Sequence, residues 1–184
     1  MDRQIRGAIT AKMSRGFSLI ELMIAMAVLG VGLLGGIVVI AVASANDGRS
    51  KLHSTAILLA QSTMEKIAAI PAASANTQTS LTDCAGTPHT IETAVPAPGG
   101  SPAMITSGAF SGTIDFSQPT VANYSMVYVT CSSGGNVGFD VRWRIDSGPT
   151  PSTQLVTVSA KPLVTAGAAQ FTLPYTLHQL RGNF

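Results

Sequence analysis

The chain has few charged and few aromatic residues, and these shortages limit what its surface can be. Charged residues make up 11% of the 184 residues and aromatic residues 5%, whereas 46% are hydrophobic. A surface with so few charges depends on Ser, Thr, Gly and Asn, which suits an extracytoplasmic protein. The length allows one globular domain and one further long element, and it is too short for two domains with separate cores.

The spacings of metal sites and of common catalytic sites are missing from the sequence. Cys84 and Cys131 belong to no CxxC or Cys/His cluster, and none of His53, His89 and His178 has metal-ligand spacing to another. There is also no GxSxG, no HExxH and no phosphate-binding glycine loop. We therefore expect no metal, no cofactor and no enzymatic activity, and we interpret the histidines as surface residues.

The two cysteines are interpreted as one disulfide between Cys84 and Cys131. Such a bond persists in an oxidising compartment, so this interpretation requires that the C-terminal part of the chain is exported. The alternative is a pair of buried, unpaired thiols.

Basic residues are concentrated at the N-terminus. Residues 1–16 carry four basic side chains against one acidic side chain, whereas the rest of the chain carries seven against eight. A nucleic-acid-binding domain needs a basic surface, so nucleic acid is not an expected partner. Arg142 and Arg144 are interpreted as part of a solvated strand face. Contact of this pair with an acidic partner or with DNA is the alternative.

An uninterrupted apolar run predicts a membrane-spanning helix. The stretch from Leu22 to Ala45 contains no formal charge and spans about 36 Å as a helix, more than the bilayer core of about 30 Å. It exceeds the apolar region of about 7–15 residues in a secretory signal peptide, so it is expected to stay in the mature protein. The preceding basic residues place the N-terminus in the cytoplasm and the later residues outside.

A specific motif lies at the boundary between the basic segment and the apolar run. It reads Arg15-Gly16-Phe17-Ser18-Leu19-Ile20-Glu21. This junction resembles the cleavage and methylation motif of type IV prepilins and type II secretion pseudopilins. The resemblance implies that a prepilin peptidase cuts after Gly16, which makes residues 1–16 a leader, and methylates Phe17. It also implies a bacterial inner-membrane protein that joins other pilins or pseudopilins through its N-terminal helix.

Glu21 is the single acidic residue next to the apolar run, at the fifth position after the cleavage site that the resemblance implies. A carboxylate in a membrane segment is costly and usually has a partner. Because Glu21 lies about 6 Å of helix beyond Phe17, it can meet the α-amino group of a staggered neighbouring subunit and fix the register of assembly. The alternative is that Glu21 reaches the cytoplasmic headgroups. Beside this junction, we prefer the first interpretation.

Four glycines interrupt the middle of the apolar run: Gly30, Gly32, Gly35 and Gly36. Each lowers helix propensity by roughly 1 kcal/mol relative to Ala. Two interpretations remain open, namely close packing of membrane helices through small residues, and, by resemblance to pilin filaments, local loss of helicity when the subunit leaves the bilayer.

A second, amphipathic half of the helix is predicted over residues 47–71, after the membrane half at 17–46. Apolar residues recur there at spacings of three and four up to Ile70, and Pro71 ends the pattern. Residues 60–71 also resemble the corresponding stretch of PilV-type minor pilins and of the pseudopilin I class.

The remaining residues predict an antiparallel sheet preceded by loops. Prolines and glycines mark residues 72–108 as a variable loop region. Strand signals mark residues 109–184 as the sheet. Strands are predicted at Phe110–Phe116, Tyr124–Cys131, Val137–Ile145 and Thr153–Val164, with an edge strand at Phe171–Leu177. In the third strand, the charged residues alternate with apolar ones, which predicts one buried face and one wet face. The fold class is therefore α+β, a long N-terminal helix packed on an antiparallel sheet.

The favoured function is that of a minor pilin, a structural subunit for the assembly or initiation of a type IV pilus, or for adhesion. A type II secretion pseudopilin is the alternative within the family. A major pilin is disfavoured because the cysteines are not near the C-terminus. From other classes, a monomeric membrane-anchored binding domain and a tethered exported enzyme are the alternatives.

Overall fold

The computed structural model describes residues 16–74, 76–96, 100–132, 135–150, 152–163 and 173–182, so that nearly all of the predicted leader lies outside the described residues. In chain order the elements are α1 (Leu19–Ala68), β1 (Gln78–Thr82), β2 (Pro88–Glu92), β3 (Ser125–Ser132), β4 (Gly135–Ser147), β5 (Thr153–Leu163) and β6 (Tyr175–Gly182). One long helix followed by antiparallel strands confirms the predicted α+β fold class. The chain divides into two compact units, with the boundary between Ala45 and Asn46.

The second half of α1 is amphipathic, as its apolar spacing predicts. The side chains of Ala56, Ala60, Met64 and Ile67 are buried, and all four belong to the hydrophobic core of the second unit. They recur at three or four residues, so they share one face of the helix. The helix ends at Ala68, shortly before Pro71, which cannot continue it.

The main sheet has four antiparallel strands in the order β3-β4-β5-β6. Sequential neighbours pair throughout, and Trp143 of β4 lies opposite Val158 of β5. The predictions of β3, β4 and β5 are confirmed. The last strand lies at the sheet edge, as predicted, and it begins at Tyr175, directly after Pro174, which cannot donate to the strand ladder. The first two residues of the predicted edge strand, 171 and 172, lie outside the described residues.

Two predictions for residues 72–116 are wrong. The predicted loop region contains a hairpin, in which β1 and β2 pair with Thr79 opposite Ile91. The predicted strand Phe110–Phe116 is instead a series of turns, in which Met104 and Ile114 form an isolated bridge. Short strands of mixed polarity, such as β1, lack the alternation on which the prediction depended.

The core lies between α1 and the face of the sheet that carries Trp143. Phe139, Val141, Trp143 and Ile145 are 0% exposed, as is Val158 on the neighbouring strand. The indole N–H of Trp143 donates to the carbonyl oxygen of Glu92 at 2.9 Å. The largest buried side chain is therefore also hydrogen-bonded to the end of β2.

The opposite face of β4 is not wet, which corrects the prediction for its charged residues. Arg142 is 5% exposed, and its Nη2 donates to Asp140 Oδ2 at 2.8 Å. Its Nη1 donates to the carbonyl oxygen of Gln118 at 2.7 Å, and its guanidinium lies 4.8 Å from the centre of the Phe116 ring. Residues two apart in a strand share a face, so the opposite charges neutralise each other while the preceding segment covers them.

Arg144 on the same face is also engaged within the fold. Its Nε donates to Asp146 Oδ2 at 2.7 Å, and its Nη1 donates to the carbonyl oxygen of Pro102 at 3.0 Å. The two arginines hold the covering segment to the sheet. Both arginines are thus held within the fold, which corrects the prediction that they form a solvated strand face.

A disulfide joins Cys84, in the turn of the β1–β2 hairpin, to Cys131 of β3, with their Cα atoms 5.8 Å apart. Two hydrogen bonds support this junction. The Cys84 N–H donates to the carbonyl oxygen of Val129 at 3.3 Å, and the Tyr128 hydroxyl donates to that of Thr82 at 3.2 Å. The hairpin is thus attached to the edge of the four-stranded sheet.

Candidate assembly site at the N-terminal junction

The start of α1 is marked by a backbone hydrogen bond to Ser18. The N–H of Leu22 donates to the carbonyl oxygen of Ser18 at 3.1 Å, which makes Ser18 the N-cap residue of a helix that begins at Leu19. Glu21 is then the third residue of the helix. This S-x-x-E spacing is that of a capping box, a signal that the sequence predictions above do not include.

Glu21 lies where the helix favours a negative charge. The free N–H groups of the first turn form the positive end of the helix dipole, and a carboxylate there is stabilising by about 0.3–1 kcal/mol. Glu21 is the acidic residue of this turn. Its cost in an apolar environment is therefore partly offset by the helix itself.

Gly16 and Phe17 precede the helix and are accessible. Both residues are exposed, and Phe17 is 84% exposed. A peptidase must bind an extended, accessible backbone on both sides of the bond that it cuts. The junction has this accessibility. It also lies about one helical turn before Glu21, so the residues predicted for cleavage, methylation and register lie at the same end of α1. Their roles remain predictions.

The surface of α1 in the first unit is apolar on all sides. Large side chains from Leu19 to Val42 are exposed, among them Val31 at 73% and Leu34 at 68%. A helix of this kind is stable in lipid or against other helices, where its backbone groups are already paired. By length and composition α1 is the one described helix that can cross a membrane, which is consistent with membrane anchoring.

The four glycines of this helix leave its surface open. A Cβ added at Gly30, Gly32, Gly35 or Gly36 would meet no heavy atom within 4 Å. No described contact within the chain therefore requires glycine at these positions. Both interpretations of the glycines, close packing against other helices and local loss of helicity, remain open.

The histidines are placed in three separate environments. His89 Nε2 lies 3.2 Å from Asp83 Oδ2, His178 Nδ1 lies 3.0 Å from Thr157 Oγ1, and the His53 ring meets the edge of the Tyr175 ring. His89 is partly buried, so it is not the surface residue that the sequence predicted. Among the described residues, no group of three or more His, Cys, Asp or Glu side chains is arranged to hold a metal ion.

Residues 11–37 match the family described as the prokaryotic N-terminal methylation motif. The match spans the junction and the first two thirds of the apolar run. No curated protein and no solved structure matches the chain. The motif implies processing by a prepilin peptidase and assembly with other pilins. The matched motif, the apolar helix that begins at the junction and the antiparallel sheets of the second unit together support a type IV pilin-like prepilin, a pilin or pseudopilin subunit.

Proposed function

We propose that this chain is a minor pilin of a type IV pilus, with a structural role in filament initiation, assembly or adhesion and no enzymatic activity. The observation that carries the proposal is the Gly16-Phe17 junction, capped by Ser18, directly before an apolar helix that is exposed on all sides. An exposed apolar helix gains stability when like helices cover it. Each fully buried Leu, Ile or Val side chain contributes about 1.5–3 kcal/mol.

In this proposal, Glu21 and Phe17 set the register between subunits. Cleavage after Gly16 creates a positively charged α-amino group on Phe17. The carboxylate of Glu21 in a neighbouring subunit pairs with this amine when the two helices are staggered by about 6 Å. In an apolar filament core, an unpaired charge is costly to bury, so the carboxylate and the amine are more stable as an ion pair than apart.

The position of the disulfide supports a minor rather than a major pilin. The bond between Cys84 and Cys131 attaches the β1–β2 hairpin to β3. The edge strand β6 carries no cysteine. The usual major-pilin arrangement, a disulfide loop near the C-terminus, has no counterpart in this pattern.

A pseudopilin of a type II secretion system is the second candidate. The stretch of α1 from Ala60 to Ile67 resembles both classes, so it does not separate a pseudopilin from a minor pilin. Ala60, Met64 and Ile67 are core residues, so packing against the sheet accounts for part of this resemblance.

The first test is the N-terminal sequence and mass of the protein from its native membrane, in cells with and without a prepilin peptidase. The expected mature chain begins at N-methylated Phe17 only where the peptidase is present. An intact leader in both strains contradicts the proposal and favours a monomeric membrane-anchored binding domain.

A second test separates the two filaments. Deletion of the gene is expected to reduce the amount of sheared surface pili and to leave type II secretion unchanged. Loss of secretion with normal pili identifies a pseudopilin instead. A variant that lacks cleavage, Gly16→Val, is the matched control, because it is expected to be made and anchored but not assembled.

A further inference from the structure

The outer strand of the four-stranded sheet, β6, has one open edge. It pairs with β5 on one side. Every second residue of an edge strand directs its N–H and C=O groups away from the sheet, where they can pair with another strand. Over residues 176–180, no described residue outside β5 forms a backbone hydrogen bond with this strand. Gln179 and Leu180 are exposed, so a further strand can reach this edge.

This edge lacks the features that usually keep edge strands from pairing with other chains. Such features include lysine, proline, bulges and very short strands. Residues 176–180 include no Lys, Pro, Asp or Glu, and β6 pairs one to one with β5 over its 8 residues, without a bulge. Arg181 already donates to carbonyl oxygens at the end of α1, so its charge does not meet an incoming strand.

The opposite edge of the same sheet is already occupied. The Cys84 N–H donates to the carbonyl oxygen of Val129 in β3 at 3.3 Å, and the Glu92 N–H donates to that of Asn123, just before β3, at 3.1 Å. The β1–β2 hairpin therefore lies along β3, and the bond from Cys84 to Cys131 holds it there. Of the two edges of this sheet, β6 is the open one.

A groove of about 330 Å³ lies beside β6 and limits the side chains that an added strand can carry. The groove is lined by Gln61, Met64 and Glu65 of α1 and by Leu177, His178 and Gln179 of β6. Met64 is 6% exposed and Leu177 packs against the core, so the floor of the groove is apolar. Glu65 is exposed, and it is the one carboxylate among the described residues that line the groove.

The register of β6 relates this groove to an incoming strand. Leu177 lies opposite Val158, a core residue, so Leu177 and Gln179 share the face of β6 that is turned to α1. An added strand alternates in the same way, so every second side chain of that strand lies on this face. An apolar side chain there covers Met64 and Leu177. A Lys or Arg two residues away complements the charge of Glu65.

We propose that the edge of β6 binds an extended segment of another protein, which adds a fifth strand to this sheet. The segment carries an apolar and a basic side chain, two residues apart, on the face turned to the groove. Hydrogen bonds between the main chains provide affinity, and the groove provides specificity. The site lies within the second unit and goes beyond the proposed function, because it is the same in a pilin, a pseudopilin or an anchored domain.

The test is hydrogen–deuterium exchange, followed by mass spectrometry, of the full chain in detergent. The probe is the peptide Thr-Val-Thr-Val-Thr-Lys-Thr, blocked at both ends and added at millimolar concentration. It is expected to slow the exchange of the amides of residues 176–180 by about twofold or more, the factor reached when half of the chain is bound. The amides of the β1–β2 hairpin are expected to exchange as before.

The same peptide with methylated amide nitrogens is the matched control. It keeps every side chain but cannot donate a main-chain hydrogen bond to β6, so it is expected to give no protection. Equal protection by the methylated peptide shows binding through side chains alone and overturns the addition of a strand.

Glu65→Gln tests the charge of the groove. The wild type is expected to bind the lysine peptide roughly twofold to fivefold more tightly than the same peptide with Glu in place of Lys. Glu65→Gln is expected to lose this preference. Asp47→Asn, which removes a carboxylate elsewhere on α1, is expected to keep it. An unchanged preference in Glu65→Gln overturns the assignment of the groove, and thermal unfolding checks that both variants are folded.

Two further outcomes also overturn the proposal. Protection of β6 that appears without peptide as the protein concentration rises shows a second copy of this chain at the edge. No protection at millimolar peptide shows that the edge does not accept a strand. An intact leader in the native membrane contradicts the proposed function instead, and it leaves this exchange experiment unaffected.

Discussion

Arg181 of β6 caps the end of α1: its Nη1 donates to the carbonyl oxygen of Ile67 at 2.9 Å. The same nitrogen donates to the carbonyl oxygen of Ile70 at 3.1 Å, and Nη2 donates to that of Thr93 at 2.6 Å and to Gln154 Oε1. Arg181 is 5% exposed, and burial lowers the pKa of its guanidinium. A buried cation thus donates to a carbonyl oxygen in the last turn of α1, where the helix dipole is negative, and to carbonyl oxygens beyond the helix.

Replacement of Arg181 by Met is expected to lower the free energy of unfolding by about 3 kcal/mol, because several buried carbonyl groups lose their donor while the aliphatic volume is kept. Urea unfolding of the detergent-solubilised chain, followed by tryptophan fluorescence, measures the change. Arg181→Lys is the control and is expected to be intermediate, because one ammonium group cannot reproduce the planar fork. A Met variant as stable as the wild type contradicts this account of the cap.

Removal of the disulfide is expected to destabilise the second unit. The double variant Cys84→Ser/Cys131→Ser releases a loop with a sequence separation of 47 residues, and such a bond contributes about 2–4 kcal/mol. Thermal unfolding with and without reductant measures the effect. Reductant is expected to lower the midpoint of the wild type and to leave that of the double variant unchanged.

Glu21→Gln tests the charge of the register residue. Glutamine keeps the shape of the side chain and is tolerated in a capping box, so helix formation and leader cleavage are expected to be normal. Without the carboxylate, the variant is expected to be absent from sheared filaments while it accumulates in the membrane. Mass spectrometry of the N-terminus and immunoblots of both fractions provide the readout.

Ser18→Ala is the matched control for the helix cap. It removes a hydroxyl that is worth about 1 kcal/mol where it caps a helix, and it leaves the charge of Glu21 in place. This variant is expected to enter filaments. If Ser18→Ala and Glu21→Gln fail to the same degree, the role of Glu21 is to start the helix rather than to pair with a neighbouring amine.

The stability of the β1–β2 hairpin is expected to depend on pH through Asp83. Burial by itself raises the pKa of this carboxyl, but hydrogen bonds from the Thr87 N–H and from His89 outweigh that effect and hold the pKa below its ordinary value. Its contribution to stability is therefore present above the unfolded-state pKa of about 3.9 and is lost as the pH falls through the lower, folded-state pKa.

Asp83→Asn is accordingly expected to unfold at a lower temperature than the wild type at pH 7, with a difference that shrinks as the pH falls below about 4. Unfolding midpoints measured from pH 7 to pH 2.5 test this trend. Asp47→Asn is the control, because Asp47 forms an exposed pair with Lys51 that contributes little. A constant difference across the pH range contradicts the assignment to Asp83.

The sequence predicts the elements with strong periodicity. Residue spacing alone predicts three features: the apolar run, the core face of α1 that includes Ile67, and the alternation that places Trp143 inside. The prepilin junction is also predictable, because Gly16 and Glu21 stand at fixed positions relative to an apolar run. These features depend on residues that are near one another in the chain.

The sequence does not predict features that depend on distant residues. Alternation in β4 identifies Arg142 as lying opposite the core face, but solvent exposure of that face depends on the segment around Phe116 and Gln118, which packs over it. In the same way, nothing near Arg181 indicates that its partners are Ile67 and Thr93. A lone arginine in a strand is usually a surface residue, and only the tertiary fold shows that this one is buried.

The hydrogen bond from Arg181 to Ile67 joins two parts of the chain that are synthesised at different times. The helix is synthesised first, and its closing donor is synthesised 114 residues later than Ile67. Until then the Ile67 carbonyl oxygen has the Ile70 N–H, at 3.3 Å, as its local donor, and the entropy of a long loop opposes closure by Arg181. The end of α1 therefore depends on the completeness of the chain, because a subunit that is truncated before β6 lacks the Arg181 donor and its helix end keeps only local hydrogen bonds.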